Sequence, residues 1–365
     1  MIIIHVSTQI SWGGGEKQVL YLMKELHKFG TEQILVCAKN SSLSKKAKVL
    51  FSTVEIEKKF LSTIHWTQEL LKLTRAHDDA ILHAHDGMAH TAVYFHSLLS
   101  PNIPVIAHRR VIKNKLGYFS KLKYNHPSLK KIICISKAVR ESLTSIVQDK
   151  NRLVLIPSGI KIEERNFDNK TEIKKEFGFN SSDELILNIG SLLEQKRQLF
   201  FLKIAKEYFN KFPNKRSKTH FLILGEGPLR QKLEEFIQKE NLGKNCHLLG
   251  FTNRAQEILN SSDILVSTSV NEALGNVIME AFLSKTAVIA SDSGGVIDLI
   301  EAGKTGLLAK PLETESFVTS IERILGDATF KERIQLAGRH KLEEFNIENT
   351  SRDLYKVYLS LKKPD

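Results

Sequence analysis

Short apolar runs alternate with helical stretches along the whole chain, and the rhythm occurs twice. In the first half the runs lie at 2–7, 33–38, 80–84, 104–107, 131–135 and 152–156. In the second half they lie at 184–189, 219–224, 245–249, 263–267 and 286–290. Most are continuous in Ile, Leu, Val and Ala, without the polar alternation of a sheet that faces water. A strand apolar on both faces must be covered on both, which is the condition of a parallel sheet between helical layers. The amphipathic stretches between the runs supply those layers. The fold class is therefore α/β, and 365 residues suffice for two such cores. Residues 157–169 carry Pro, Gly and charges without periodicity, so the linker is expected there, between domains at 1–160 and 161–346. Residues 347–361 return to an amphipathic pattern through Leu354, Val357, Tyr358 and Leu361.

Composition narrows the class. A hydrophobic content of 42% is ordinary for a water-soluble fold, and no run approaches the ~18 apolar residues of a membrane span. The start, Met-Ile-Ile-Ile-His-Val-Ser, has no basic segment or small-residue cleavage site and reads as a first strand rather than a leader. Cys37, Cys134 and Cys246 each fall in or beside an apolar run, as small buried residues of a reducing compartment. Cytoplasm is the expected location.

The densest chemistry lies between Asn271 and Gly295. Glu272 precedes a small-residue turn, Ala273-Leu274-Gly275, and a helical pattern opened by Gly275 and Asn276 continues through Val277. Glu280 follows one turn further in, among apolar neighbours that predict burial. Most Glu pairs at this spacing are caps or solvated positions. Here the free N–H groups at the mouth of a helix, flanked by two acids, suit a ligand with an anionic centre and hydroxyls on either side. The next run ends in Ser-Asp-Ser-Gly-Gly, a second loop at the strand ends where α/β sheets bind ligands.

This segment resembles the nucleotide-sugar signature of family-4 glycosyltransferases, retaining enzymes of GT-B fold. Four further motifs resemble the family in the same order. They are Ile135-Ser136-Lys137-Ala138-Val139, Ile156-Pro157-Ser158-Gly159-Ile160, the stretch from Ile189 to Lys196, and Leu224-Gly225-Glu226-Gly227-Pro228. The resemblance implies two facing Rossmann-like domains with a cleft between them. The first would hold the acceptor and receive the crossover helix, 347–365; the second would hold the donor. It implies a metal-independent hexosyltransferase of the lipopolysaccharide- or polysaccharide-assembly type. The enzyme would use a UDP- or GDP-sugar as substrate, with no cofactor.

Residue by residue, the resemblance gives Lys196 the donor diphosphate and His108, after Val105-Ile106-Ala107, a place near the donor sugar. Gly14 and Gly15, in Trp12-Gly13-Gly14-Gly15, would let backbone approach the ligand at a helix start. Glu272 would hold sugar hydroxyls and Glu280 the ribose, with Gly225 and Phe251 beside the base. The family often has an arginine where this chain has Ser191, and Arg197 or Arg254 is expected to supply that charge. Two other readings share these residues: a GT-B epimerase acting on the donor alone, and a catalytically silent protein that binds sugar nucleotide or anionic lipid.

Charge is distributed unevenly. Residues 1–165 hold 25 Lys+Arg against 13 Asp+Glu, while 166–365 hold 28 of each. From Gly87 to Arg140 there is no acid. Arg109, Arg110, Lys113, Lys115, Lys121 and Lys123 are the candidates for an anionic glycan or glycolipid acceptor, or for peripheral contact with the inner leaflet of the cell membrane. No zinc spacing, helix-turn-helix or ribonucleoprotein motif accompanies the charge, so nucleic acid is not expected. His83 and His85 share a strand face, with His90 and His96 nearby. No carboxylate or cysteine completes a metal spacing, and structural histidines are expected, or an acceptor contact from His85.

Overall fold

A computed structural model describes residues 1–57, 62–113, 116–163 and 170–362. Two units divide it. Residues 1–161 and 345–365 form unit 1, and residues 162–344 form unit 2.

Unit 1 runs β1 (Ile2–Ser7), α1 (Gly14–Lys28), β2 (Glu32–Ala38), α2 (Ser42–Ala47), β3 (Ser52–Ile56) and α3 (Ser62–Ala76). It continues with β4 (Ala80–Ala84), α4 (Gly87–Leu99), β5 (Val105–Arg109), α5 (Tyr118–Asn125), β6 (Leu129–Cys134), α6 (Lys137–Thr144) and β7 (Leu153–Leu155). Its sheet has the order β3-β2-β1-β4-β5-β6-β7, with every pairing parallel. All six residues of β1 are buried, as continuous apolarity requires.

Unit 2 runs α7 (Lys170–Glu176), β8 (Glu184–Ile189), α8 (Gln198–Lys211), β9 (Thr219–Leu224), α9 (Arg230–Lys239), β10 (Cys246–Gly250) and α10 (Ala255–Ser261). It ends with β11 (Ile264–Ser267), α11 (Asn276–Leu283), β12 (Ala287–Ser291), β13 (Leu307–Ala309), α12 (Thr314–Gly326) and α13 (Ala328–Lys341). Its six strands lie in the order β10-β9-β8-β11-β12-β13, again all parallel. In both sheets the order reverses beside the first strand, between β1 and β4 and between β8 and β11. That reversal opens a crevice at the carboxyl ends of the strands.

The tail helix α14 (Ile347–Leu359) belongs to unit 1. Leu354 and Tyr358 are fully buried beside Ile3, Ile81, Ile106 and Ile133 on one sheet face, together with Leu22 and Leu26 of α1. Side chains of this size contribute about 1.5–3 kcal/mol each when withdrawn from water, which fixes the tail here.

The expected linker starts too early. Gln18 donates to the Gly159 carbonyl at 2.7 Å and accepts from its N–H at 3.1 Å, while Ile160 bridges to residues 345–347. A Cβ on Gly159 would come within 2.5 Å of the Ile347 backbone. Its missing side chain serves close packing within unit 1. Residues 164–169 of the expected linker lie outside the described residues.

Two edge strands, β3 and β13, were not expected, and β5 runs through Arg109, so His108 lies within the strand rather than at its end. The three cysteines are free and buried, and burial pushes their thiols up, Cys37 to about 11 and Cys134 and Cys246 to about 12. No helix among the described residues is long and apolar enough to cross a membrane.

Candidate active site

The crevice of unit 2 collects most of the expected donor residues. After β8 the chain turns through Gly190 and Ser191 into a short 3-10 turn, Glu194–Lys196. Lys196 Nζ lies 2.6 Å from Glu272 Oε2, which follows β11. The pair is 76 residues apart in sequence and joins the two strands that flank the reversal. Both side chains keep about a quarter of their surface open, at 25% and 22%. Thr268 Oγ1, at the end of β11, donates to the Lys196 carbonyl at 2.9 Å and holds the backbone that carries the lysine.

Glycines pack these loops backbone to backbone. A Cβ on Gly225 would stand 2.0 Å from the Gly190 carbonyl oxygen, and one on Gly227 2.6 Å from that of Leu192. Gly225 thus joins the loops after β8 and β9, whatever else it touches. Gly294, at φ 68°, is pressed against Glu272, and Gly295 N–H donates to the Glu272 carbonyl at 2.7 Å. The Ser-Asp-Ser-Gly-Gly loop therefore fixes the backbone of the first acid. Gly275, at φ 100°, opens α11 without any side-chain cap. Asn276 and Val277 begin the helix beside Glu272, after the buried pair Ala273 and Leu274.

Three expectations change. Glu280 is half-buried rather than buried, because the one-turn α11 stripe that meets the core is Ile278, Met279, Ala281 and Phe282. Arg254 is already held by two carboxylates, which a diphosphate would have to displace. It is engaged by Glu176 and by Glu257 at 2.9 Å, and these hydrogen bonds raise its pKa further. Arg197 sits at the start of α8 in a left-handed conformation (φ 55°), directly after Lys196, and makes no ion pair with a described residue. It is the better of the two candidates. Phe251 is 72% exposed, a free aromatic face beyond β10.

Sequence reasoning missed Asn188, Gln198 and Ser291. Each is buried near the crevice with one side-chain oxygen unpaired. Asn188 donates to the Val266 carbonyl at 2.8 Å and ties β8 to β11. Its signal was a lone amide inside Leu-Ile-Leu-Asn-Ile.

The crevice of unit 1 has a different chemistry. Thr8, after β1, donates through its N–H and hydroxyl to Asp86 at 2.6 and 2.7 Å, and Asp86 also caps α4. Gly14 and Gly15 open α1, and a Cβ on Gly15 would meet no protein atom within 4 Å. Nothing in the protein's own packing requires that glycine. Glu16 beside it is half-buried and burial raises its carboxyl pKa, a feature missed in the Gly-rich motif.

His5, His83, His85 and His108 line one sheet face. His5 Nδ1 lies 2.9 Å from His85 Nε2, His83 Nδ1 lies 2.5 Å from the Tyr358 hydroxyl, and the His83 and His108 rings stack at 5.4 Å. Burial pushes His5 down to about 4 and the other three well below the usual imidazole value. They are only partly satisfied, contrary to expectation. Both His108 nitrogens and His83 Nε2 lack partners. Ring nitrogens of His5, His83 and His85 lie within 4.8 Å of one another, close enough to hold a small cation. Gln33 and Tyr358 already occupy two of these rings, and the Arg110 guanidinium against His85 opposes a cation.

The basic run divides. Arg109 and Lys123 are buried, and Arg110 is half-buried and donates to the His85 carbonyl at 3.0 Å. Strand β5 carries Arg109 inward, and Lys123 bonds Thr91 Oγ1 at 2.8 Å. These three are not part of an exposed basic face. Lys113 and Lys121 are exposed, and Lys115 lies outside the described residues.

Residues 12–164 match Glycosyltransferase Family 4, and residues 169–341 match Glycosyl transferases group 1. An uncharacterized glycosyltransferase of Methanocaldococcus jannaschii is 25% identical over 235 residues, 62% of this chain and 59% of the relative. The UDP-Gal:alpha-D-GlcNAc-diphosphoundecaprenol alpha-1,3-galactosyltransferase of Escherichia coli is also 25% identical over 235 residues, 63% of this chain and 60% of its own. The chain thus spans less than two-thirds of the length of these curated relatives. The Anabaena protein HepE, solved in complex with UDP-glucose, superposes with a TM-score of 0.85 at 16% identity, over 99% of this chain and 100% of that one. Two family matches in succession, one over each parallel-sheet unit, place this chain in the family-4 and group-1 glycosyltransferase families, and its fold is of the GT-B type.

Proposed function

We propose that the protein transfers a hexose or N-acetylhexosamine, with retention, from a nucleoside-diphosphate sugar to an anionic, lipid-linked glycan acceptor of the lipopolysaccharide-core type. The observation that carries the donor assignment is the Lys196–Glu272 pair at the crevice of unit 2. The Glu272 carboxylate neutralises the lysine. A diphosphate would take the ammonium and free the carboxylate for sugar hydroxyls.

Each residue then has a task. Lys196, Arg197 and the Asn276 and Val277 amides stabilise charge on the departing diphosphate, and Glu280 takes the ribose hydroxyls. Phe251 offers its exposed ring to the base. Preorganised donors of this kind are the largest contribution expected at a site with no covalent nucleophile. Retention follows from attack on the face the diphosphate leaves, with a leaving phosphate oxygen accepting the acceptor's proton. No metal is assigned a role.

Unit 1 is assigned the acceptor. Arg110 Nε is buried without a partner, and its positive charge beside His85 and His108 favours an anionic group on the acceptor. HepE is solved with UDP-glucose, and the E. coli relative is named for a diphosphoundecaprenol acceptor; both support the donor and acceptor classes proposed here. The test is to incubate the protein with UDP- and GDP-sugars, with and without a lipid extract, and to read the anomeric configuration by NMR. An α-linked lipid product from an α-linked donor is expected. A C2-epimerised donor formed without acceptor would replace this reading with the epimerase, and donor binding without any transfer would leave a silent binding protein.

A further inference from the structure

The outer face of α4 and α5 is apolar where it meets water. Phe95, Leu98 and Leu99 project from α4 at 39–68% exposure, and Tyr118, Phe119 and Leu122 from α5 at 41–77%. The spacings put each trio on one helical face. The faces join, since the Phe119 ring lies 6.0 Å from Phe95 and 5.6 Å from Tyr94. The opposite faces are already used, by Ala92, Val93 and His96 on α4 and by Tyr124 on α5. An exposed apolar cluster that includes two aromatic rings marks an interaction surface.

Its charge selects the occupant. No acid occurs between Gly87 and Arg140, and the cations Lys113 and Lys121 stand exposed on and beside α5. The Lys123 ammonium lies 5.3 Å from the Phe119 ring centroid, which adds positive potential beneath the patch. Apolar side chains with exposed cations beside them match a bilayer surface that is anionic in its headgroups and apolar just below them. A second copy of the chain would bring the same positive charge against itself.

We infer that the α4–α5 face docks on an anionic lipid membrane. The six apolar side chains enter the headgroup boundary, and Lys113 and Lys121 meet lipid phosphate. This deepens the lipid-linked acceptor proposed above and rests on that reading for its purpose, though not for its test. The full chain is floated with phosphatidylcholine vesicles, and with vesicles containing about 30% phosphatidylglycerol. Binding at least tenfold stronger to the anionic vesicles is expected, weakening as salt rises. Leu98→Ser/Leu99→Ser/Phe119→Ser should lose about tenfold or more of that binding. Lys113→Gln/Lys121→Gln should lose about fivefold per lysine.

Melting curves check the folding of the triple variant. If it does not fold, Tyr118→Ser serves, because that side chain is 77% exposed. Wild type that floats with neither vesicle, or equally with both, overturns the inference. So does a folded variant that floats like wild type. Sedimentation velocity showing a wild-type dimer that the variant abolishes would give the face to a second copy, and overturns it as well. Calorimetry with UDP-glucose, GDP-mannose and UDP-N-acetylglucosamine on the same preparation separates the two proposals. Flotation without donor binding sinks the transferase reading and leaves the membrane face standing; donor binding without flotation does the reverse.

Discussion

Each unit sets a carboxylate across its strand-order reversal, and the partners of those carboxylates differ. In unit 2, Glu272 meets the lysine that follows β8. In unit 1, Asp86 meets the backbone N–H and hydroxyl of Thr8, with the half-buried Arg110 and Glu16 nearby. The first is a pair of opposite charges, open to water, that an anionic ligand can divide. The second is a capped loop beside buried neutral imidazoles, rigid and short of partners. One topology thus supports a site that exchanges ion pairs with a ligand and another that waits with unpaired donors.

Acid should weigh more heavily on unit 1, although burial also lowers the pKa of His220 and His247 of unit 2. Burial holds His5 and His96 at about 4 and His90 at about 3, so between pH 6.5 and those values the unfolded chain binds protons that the native unit 1 refuses. Stability is therefore fully present above about pH 6.5 and falls as pH drops, by about 1.4 kcal/mol per pH unit for each such histidine. Denaturant unfolding from pH 7 to 4 measures the slope. His90→Gln should flatten it, and an unchanged slope would mean the histidine is not held neutral.

Lys196→Ala tests the open pair and should cost about 10²–10³ in turnover. Normal donor turnover in that variant would remove Lys196 from the site. The glycines sharpen the comparison further. Gly225→Ala forces a Cβ onto the Gly190 carbonyl and should destabilise unit 2 by about 3 kcal/mol or more in urea titration. Gly15→Ala meets no protein atom, so it should leave stability equal or raise it by up to about 1 kcal/mol while lowering transfer. If transfer is unaffected, no ligand approaches that backbone. The smallest effect belongs to Arg254→Ala, which should keep turnover within about twofold because its partners are Glu176 and Glu257 at the surface.

The sheets were readable wherever a strand was buried on both faces. The bounds of β1, β4, β8 and β9 coincide with the apolar runs. The edges were not. In β3 the half-exposed Ser-Thr-Val-Glu-Ile carries too little apolarity, and the three residues of β13 are too few to show a period. The turn around Gly275 was legible because a positive φ and a helix start leave local marks. The ion pair was not, since only the sheet order brings residues 196 and 272 together. The inward turn of Arg109 and Lys123 was also hidden, because a basic residue in sequence carries no direction.

Donor binding measures the central claim most directly. The thermal or denaturant stability of the protein is compared with UDP- and GDP-sugars, in wild type and in Lys196→Ala and Glu272→Gln. At about 100 times its dissociation constant for wild type, the right donor should stabilise the protein by about 2.7 kcal/mol. At the same concentration both variants should lose most of that gain. A donor that stabilises all three proteins equally, or a panel in which no sugar nucleotide stabilises any of them, would contradict the account.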